Sequence, residues 1–125
     1  MVINIKKTMN DAVIPVFAHL TDTGFDLFTS EDLTVEGRKK AIAKTGLIFE
    51  IPNGWGIQIK NKSGITIKGV PTTKGERADI TVYEGTIDMD YRGEVGIMLK
   101  NEEDYEITIP CLLYTSDAAD DSIRV

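Results

Sequence analysis

Cysteine, histidine and tryptophan each occur once in this 125-residue chain, as Cys111, His19 and Trp55, and proline occurs four times. A single thiol excludes an intramolecular disulfide, and one histidine with one cysteine cannot assemble the ligand set of a structural zinc. No stretch approaches the roughly twenty apolar residues that a membrane-spanning helix requires. The opening residues Met1 to Lys7 carry neither the apolar segment nor the small-residue cleavage site of a secretory signal. The expectation is a cytoplasmic protein in a reducing environment, without a membrane partner. Positive charge is also scarce: 14 Lys and Arg stand against 20 Asp and Glu, for a net charge of −6. Nucleic-acid polymers are bound through clustered cations that neutralise many phosphates, so that partner class is excluded. A small phosphate ligand is not, because a local group of Lys, Ser and backbone N–H can hold one on an acidic protein.

What the chain does have is alternation. Ile3 and Ile5 flank Asn4, Ile57 and Ile59 flank Gln58, Ile65 and Ile67 flank Thr66, and Tyr105, Ile107 and Ile109 alternate with Glu106 and Thr108. Period-2 patterns of this kind predict half-buried strands. Turn signals separate them, among them Thr23-Gly24, Glu36-Gly37, Pro52-Asn53-Gly54, Lys74-Gly75 and Arg92-Gly93. Val35 to Ala43 lacks a 3.6-residue apolar period and reads as turn plus strand. Many short strands in a chain long enough for one domain predict an all-β sandwich or barrel. Trp55 reads as core or interface packing, and His19 as a surface or strand-edge residue.

Three polar segments could carry chemistry. Gly85-Thr-Ile-Asp-Met-Asp-Tyr-Arg-Gly-Glu94 puts Asp88 and Asp90 two residues apart, on one face if the backbone is extended. That suits a water-activating or metal-orienting site; the bland reading is a charged turn in which Asp90 pairs with Arg92. Lys60-Asn-Lys-Ser-Gly-Ile65 could grip phosphate oxygens, or be an ordinary surface turn. Asp26, between Phe25 and Leu27, faces solvent from a strand or is held inward to orient a cation.

Taken together, in order and spacing, the segments resemble the signature motifs of the trimeric dUTPases, the deoxyuridine triphosphate nucleotidohydrolases. Thr23-Gly24-Phe25-Asp26-Leu27 is similar to the first motif, Lys62-Ser63-Gly64 to the second, and Gly85 to Glu94 to the third; Thr45-Gly46 through Pro52-Asn53-Gly54 is similar to a strand and turn between them. The resemblance implies a distorted jelly-roll-like β-barrel, a homotrimer with sites built from several subunits, and hydrolysis of dUTP to dUMP and pyrophosphate with Mg²⁺. It implies that Asp88 is the general base for water and that Asp26 acts on the metal through water. It further implies that Tyr91 packs on the deoxyribose, that the backbone of Gly85, Thr86 and Ile87 reads uracil, and that Lys62, Ser63 and Gly64 hold phosphate.

The chain also departs from the family. The stretch from Pro71 to Arg77 reads as a lengthened surface loop, which costs little entropy. After Pro110 the family's C-terminal strand and glycine-rich arm are missing, and Cys111 to Asp121 resembles the conceptual translation of sequencing-adapter DNA. The expectation is therefore an incomplete dUTPase-like domain over 1–110 and a non-native tail over 111–125. Two alternatives stand beside hydrolysis: a dCTP deaminase-like enzyme of the same fold, and a non-catalytic nucleotide-binding or regulatory module.

Overall fold

Strands with one apolar face must bury that face against other elements, and in the computed structural model of the chain they pair into short antiparallel ladders around one buried cluster. The structure describes residues 3–15, 25–61 and 63–111 and the backbone of 123–124, the side chain of Ser63 excepted. Strand β1 (Asn4–Lys7) lies against β5 (Leu47–Glu50), with Ile5 opposite Phe49. Strand β3 (Leu33–Val35) pairs with β12 (Ile107–Ile109), and β2 (Asp26–Leu27) with the backbone of β13 (Ile123–Arg124). The largest sheet runs in the order β4 (Lys40–Lys44), β11 (Gly96–Asn101), β9 (Ile80–Val82). Its inward positions Ala43, Ile97, Leu99 and Val82 are buried, whereas Ile42 and Met98, opposite each other, are exposed.

Asn101 closes this sheet. Fully buried, it donates from Nδ2 to the carbonyls of Val35 (3.1 Å), Glu36 (3.3 Å) and Tyr105 (2.8 Å), and its Oδ1 accepts the Glu103 N–H at 2.9 Å. One amide thereby satisfies backbone groups from the end of β3, the turn beyond it and the loop leading to β12. A buried carbonyl left without such a partner costs about 1–3 kcal/mol.

Several expectations are corrected. Ile65–Ile67, read as strand, lies in a short helix, α1 (Ser63–Lys68). Residues two apart share a face in a strand but lie about 200° apart in a helix, so Ile65 buried and Ile67 exposed is the helical pattern. Packing decides: Ile65 is fully buried, which stabilises by about 1.5–3 kcal/mol, more than the few tenths by which each β-branched residue disfavours helix. Gly69 ends the helix in a left-handed conformation (φ 72°), its N–H bonded to the Ile65 carbonyl at 2.9 Å. A Cβ there would fall 2.3 Å from the Ala78 carbonyl oxygen, so no other residue fits without movement of the backbone. Arg77 caps the same end, donating to the carbonyls of Lys68 (2.7 Å) and Gly69 (2.8 Å).

The stretch read as a lengthened loop is a hairpin of β7 (Val70–Pro71) and β8 (Arg77–Ala78), pinned to β12 by the Thr73 N–H on the Thr108 carbonyl at 2.9 Å. Trp55 is exposed rather than core. Tyr105 precedes β12 and is exposed, so the alternation there begins only at Ile107. The expected barrel is not closed among the described residues: the chain is mostly β, but its ladders form six separate sheets. Strands of two to six residues leave outer edges that a single chain does not pair. Cys111 is buried, its N–H on Asp32 Oδ1 at 2.6 Å, so packing continues one residue past Pro110. Residues 112–122, which hold most of the expected non-native tail, lie outside the described residues, as does His19.

Candidate active site

Strands β6 (Ile57–Ile59) and β10 (Gly85–Ile87) form a two-stranded ladder in the register Gly85 to Ile59, Thr86 to Gln58, and Ile87 to Ile57. Ile57, Ile59 and Ile87 are buried, which turns Gln58 and Thr86 outward. One step on, Asp88 follows the same alternation to the outer face, where Gly56 has no side chain to cover it, and it is exposed. Among the described residues β10 is paired on one edge alone. The backbone N–H and C=O groups of its other edge are left for a ligand or a second chain.

Beyond Ile87 the chain turns tightly, with the Tyr91 N–H on the Asp88 carbonyl at 3.1 Å. Arg92 does not pair with Asp90; its Nη1 donates to the carbonyls of Met89 (2.5 Å) and Tyr91 (3.1 Å) and so stiffens the turn from within. The Tyr91 hydroxyl donates to the Glu94 carbonyl at 2.9 Å, which lays the ring across Gly93. A Cβ at Gly93 would stand 2.5 Å from that hydroxyl oxygen, so glycine is what lets the ring lie there. The far end is fixed by Thr45, whose hydroxyl donates to the Val95 carbonyl at 2.7 Å and accepts the Leu47 N–H at 3.3 Å.

The second segment leaves this ladder from the other end. Ile59 stands opposite Gly85, and Asn61, three residues before Gly64, donates from Nδ2 to the Thr66 hydroxyl. Ser63 opens α1 and Gly64 is partly buried in it; Lys62 lies outside the described residues. Gly85 and Asp88 are three residues apart on an extended chain, about 10 Å, and the second segment lies beyond the Gly85 end. One chain therefore places Asp88 and the Ser63 helix at opposite ends of the same ladder. Asp26 sits half-buried on β2, beside Phe25, whose ring meets Phe49 edge-on at 6.1 Å. No ladder joins β2 to β6 or β10. Among the described residues no group of three or more His, Cys, Asp or Glu is placed to hold a metal ion. Gln58, set outward by the alternation of Ile57 and Ile59, stands beside Thr86, and Met89 is the residue that no local pattern marks.

Comparison with known proteins bears on this arrangement. The family model described as dUTPase matches residues 10–111. The chain belongs to the dUTPase family. It is 38% identical over 104 residues to the deoxyuridine 5'-triphosphate nucleotidohydrolase of Picosynechococcus sp., covering 83% of this chain and 68% of that one. The enzyme of the same name from Clostridium tetani is 36% identical over 107 residues, covering 84% and 69%. Among solved structures, a mutant dUTPase from phage phi11 of S. aureus, described with a structural Mg(II) ion, superposes with a TM-score of 0.71 at 28% identity, over 82% of this chain and 61% of that one. The phage 80alpha dUTPase with dUPNHPP gives 0.68 at 29%, over 82% and 55%. The chain thus spans about two thirds of these curated relatives and less of the phage structures. No helix among the described residues is long and apolar enough to cross a membrane.

Proposed function

We propose that the chain carries the reaction of its dUTPase relatives, hydrolysis of dUTP to dUMP and pyrophosphate. The observation that carries this reading is the position of Asp88, exposed at the first residue past β10, next to a strand edge whose backbone is free. The Asp88 carboxylate takes a proton from water as its oxygen attacks the α-phosphorus; the bond from that phosphorus to the oxygen bridging to the β-phosphate breaks, and pyrophosphate leaves with the electron pair. The free edge at Gly85, Thr86 and Ile87 reads uracil through N–H and C=O groups, and Tyr91 excludes a 2′-hydroxyl by bulk. Lys62, Ser63 and Gly64 hold the phosphates and stabilise the charge growing on the leaving group.

Mg²⁺ fits the residues present as an ion carried largely by the substrate. The half-buried carboxylate of Asp26 would hold it through water, and an ion that keeps its waters needs few protein ligands. When bound it neutralises charge on the triphosphate. Because Asp88 and the Ser63 helix stand at opposite ends of one ladder, a complete site takes these parts from different copies, in line with a homotrimer. We take 1–110 as the body of the dUTPase-like unit; of 111–125, Cys111 packs against it and the backbone of 123–124 pairs with β2.

Nothing in the fold or the comparisons favours a deaminase. The test is pyrophosphate release from dUTP with Mg²⁺, against dCTP, dTTP and UTP. Release from dUTP alone, abolished in Asp88→Asn, is the expected result. A folded trimer that binds dUTP without turnover means a non-catalytic nucleotide-binding module instead.

A further inference from the structure

The turn that carries Asp88 is held from the side by a residue that none of the chemistry above uses. The β6–β10 ladder ends at the pair Ile87 and Ile57, so no strand hydrogen bond fixes Asp88 itself. The bonds of Tyr91 and Arg92 lie within the turn or reach Glu94, next to Val95 where the far end is fixed, and none of them ties the Asp88 end to a separate segment. Among the described residues, one hydrogen bond joins residues 88–92 to a separate segment: the Gly54 N–H donates to the Met89 Sδ at 3.3 Å. Gly54 belongs to the turn that leads into β6, closed by the Trp55 N–H on the Pro52 carbonyl at 3.1 Å. Its φ of 85° lies in the left-handed region, and a Cβ there would meet nothing within 4 Å. Backbone conformation, not space, calls for glycine at this point. Met89 is 42% exposed, so burial in the core does not explain it.

We propose that Met89 is a positioning residue for Asp88: its thioether clamps the Asp88–Tyr91 turn to the Pro52–Trp55 turn and so holds the carboxylate where it can meet water. This rests on the reading of Asp88 as the general base. A base displaced by a fraction of an ångström still binds substrate but transfers its proton less well, so the clamp acts on kcat rather than on KM.

Two variants of the full chain separate clamp from bulk. Met89→Leu keeps the shape and removes the acceptor; Met89→Gln supplies a carbonyl oxygen on a side chain of similar length. The expected result is a kcat for dUTP about three- to tenfold lower in Met89→Leu, with KM within about twofold and Tm nearly unchanged, and recovery to within about twofold of the parent in Met89→Gln. Amide exchange at Gly54, read by NMR, should speed up about three- to fivefold in Met89→Leu and not in Met89→Gln. Unchanged kcat and exchange in Met89→Leu overturn the proposal, as do equal losses in both variants accompanied by a fall in Tm. If the parent chain releases no pyrophosphate, the reaction assignment fails separately. Gly54 exchange and the Asp88 amide shift then decide the clamp: both unmoved in Met89→Leu overturn it, and both moved support it.

Discussion

The β4–β11–β9 sheet and the β6–β10 pair are built from the same alternation of apolar and polar residues, yet they are finished differently. The first has a strand paired on both sides, a fully buried inner face, and Asn101 satisfying four backbone groups at its end. The second has two strands of three residues, a free edge and an exposed turn beyond it. Closed ladders hold the satisfied and buried groups, and the proposed function puts the chemistry where one is left open, because a backbone edge that is already paired has nothing to offer a ligand.

Changes in the open region should affect turnover and spare the fold, and changes in the closed region the reverse. The largest effect expected is Asp88→Asn, which lowers kcat about a thousandfold while leaving the melting curve in place; a matched fall in Tm would mean the two regions are not separable. Next comes Asn101→Leu, which removes the amide's bonds to the Val35 and Tyr105 carbonyls and the Glu103 N–H, and one of the two bonds on the Glu36 carbonyl. Chemical denaturation should show a loss of about 3 kcal/mol, with kcat per folded molecule unchanged. Gly93→Ala pushes the Tyr91 ring off its seat and should reduce the preference for dUTP over UTP in kcat/KM by about tenfold; an unaltered ratio would remove Tyr91 from sugar discrimination.

The smallest effect concerns Tyr105, in the loop tied by Asn101. Desolvation first, then the charges of Glu103 and Glu76, raise its phenol above the ordinary tyrosine value. The folded state thus favours the neutral phenol. Its contribution is fully present below the unfolded value of about 10 and is lost as pH rises through the higher folded value. Phenolate absorbance should show one tyrosine titrating late, and Tyr105→Phe should remove it and flatten the alkaline decline in Tm.

The legibility of the sequence follows the same division. Alternation found β6 and β12 and set their inward isoleucines correctly, because a two-residue period at a half-buried ladder has one physical solution. It failed at Ile65–Ile67, because apolar residues two apart were taken to share a buried face, whereas in the helix Ser63–Lys68 they point about 200° apart and only Ile65 is buried. Of the core and interface readings of Trp55 the core one failed, because aromatic size predicts burial on average and nothing local shows that this turn projects outward. Asp88, Tyr91 and the Gly85–Ile87 strand were legible as a motif. Their distance from the Ser63 helix was not, since it depends on which end of the ladder each segment leaves. The Met89 contact was invisible too: it joins residues 35 apart in sequence through a single sulfur.

The open edge of β10 also bears on solubility. An unpaired strand is a template on which another polypeptide can add, and the usual outcome of a long, flat, apolar edge is aggregation. Here the edge is three residues long, begins with glycine, and is followed at once by the Asp88 turn. It is too short to nucleate a fibril, so lengthening it with β-branched residues around Glu84 would turn a short open edge into a site of self-association.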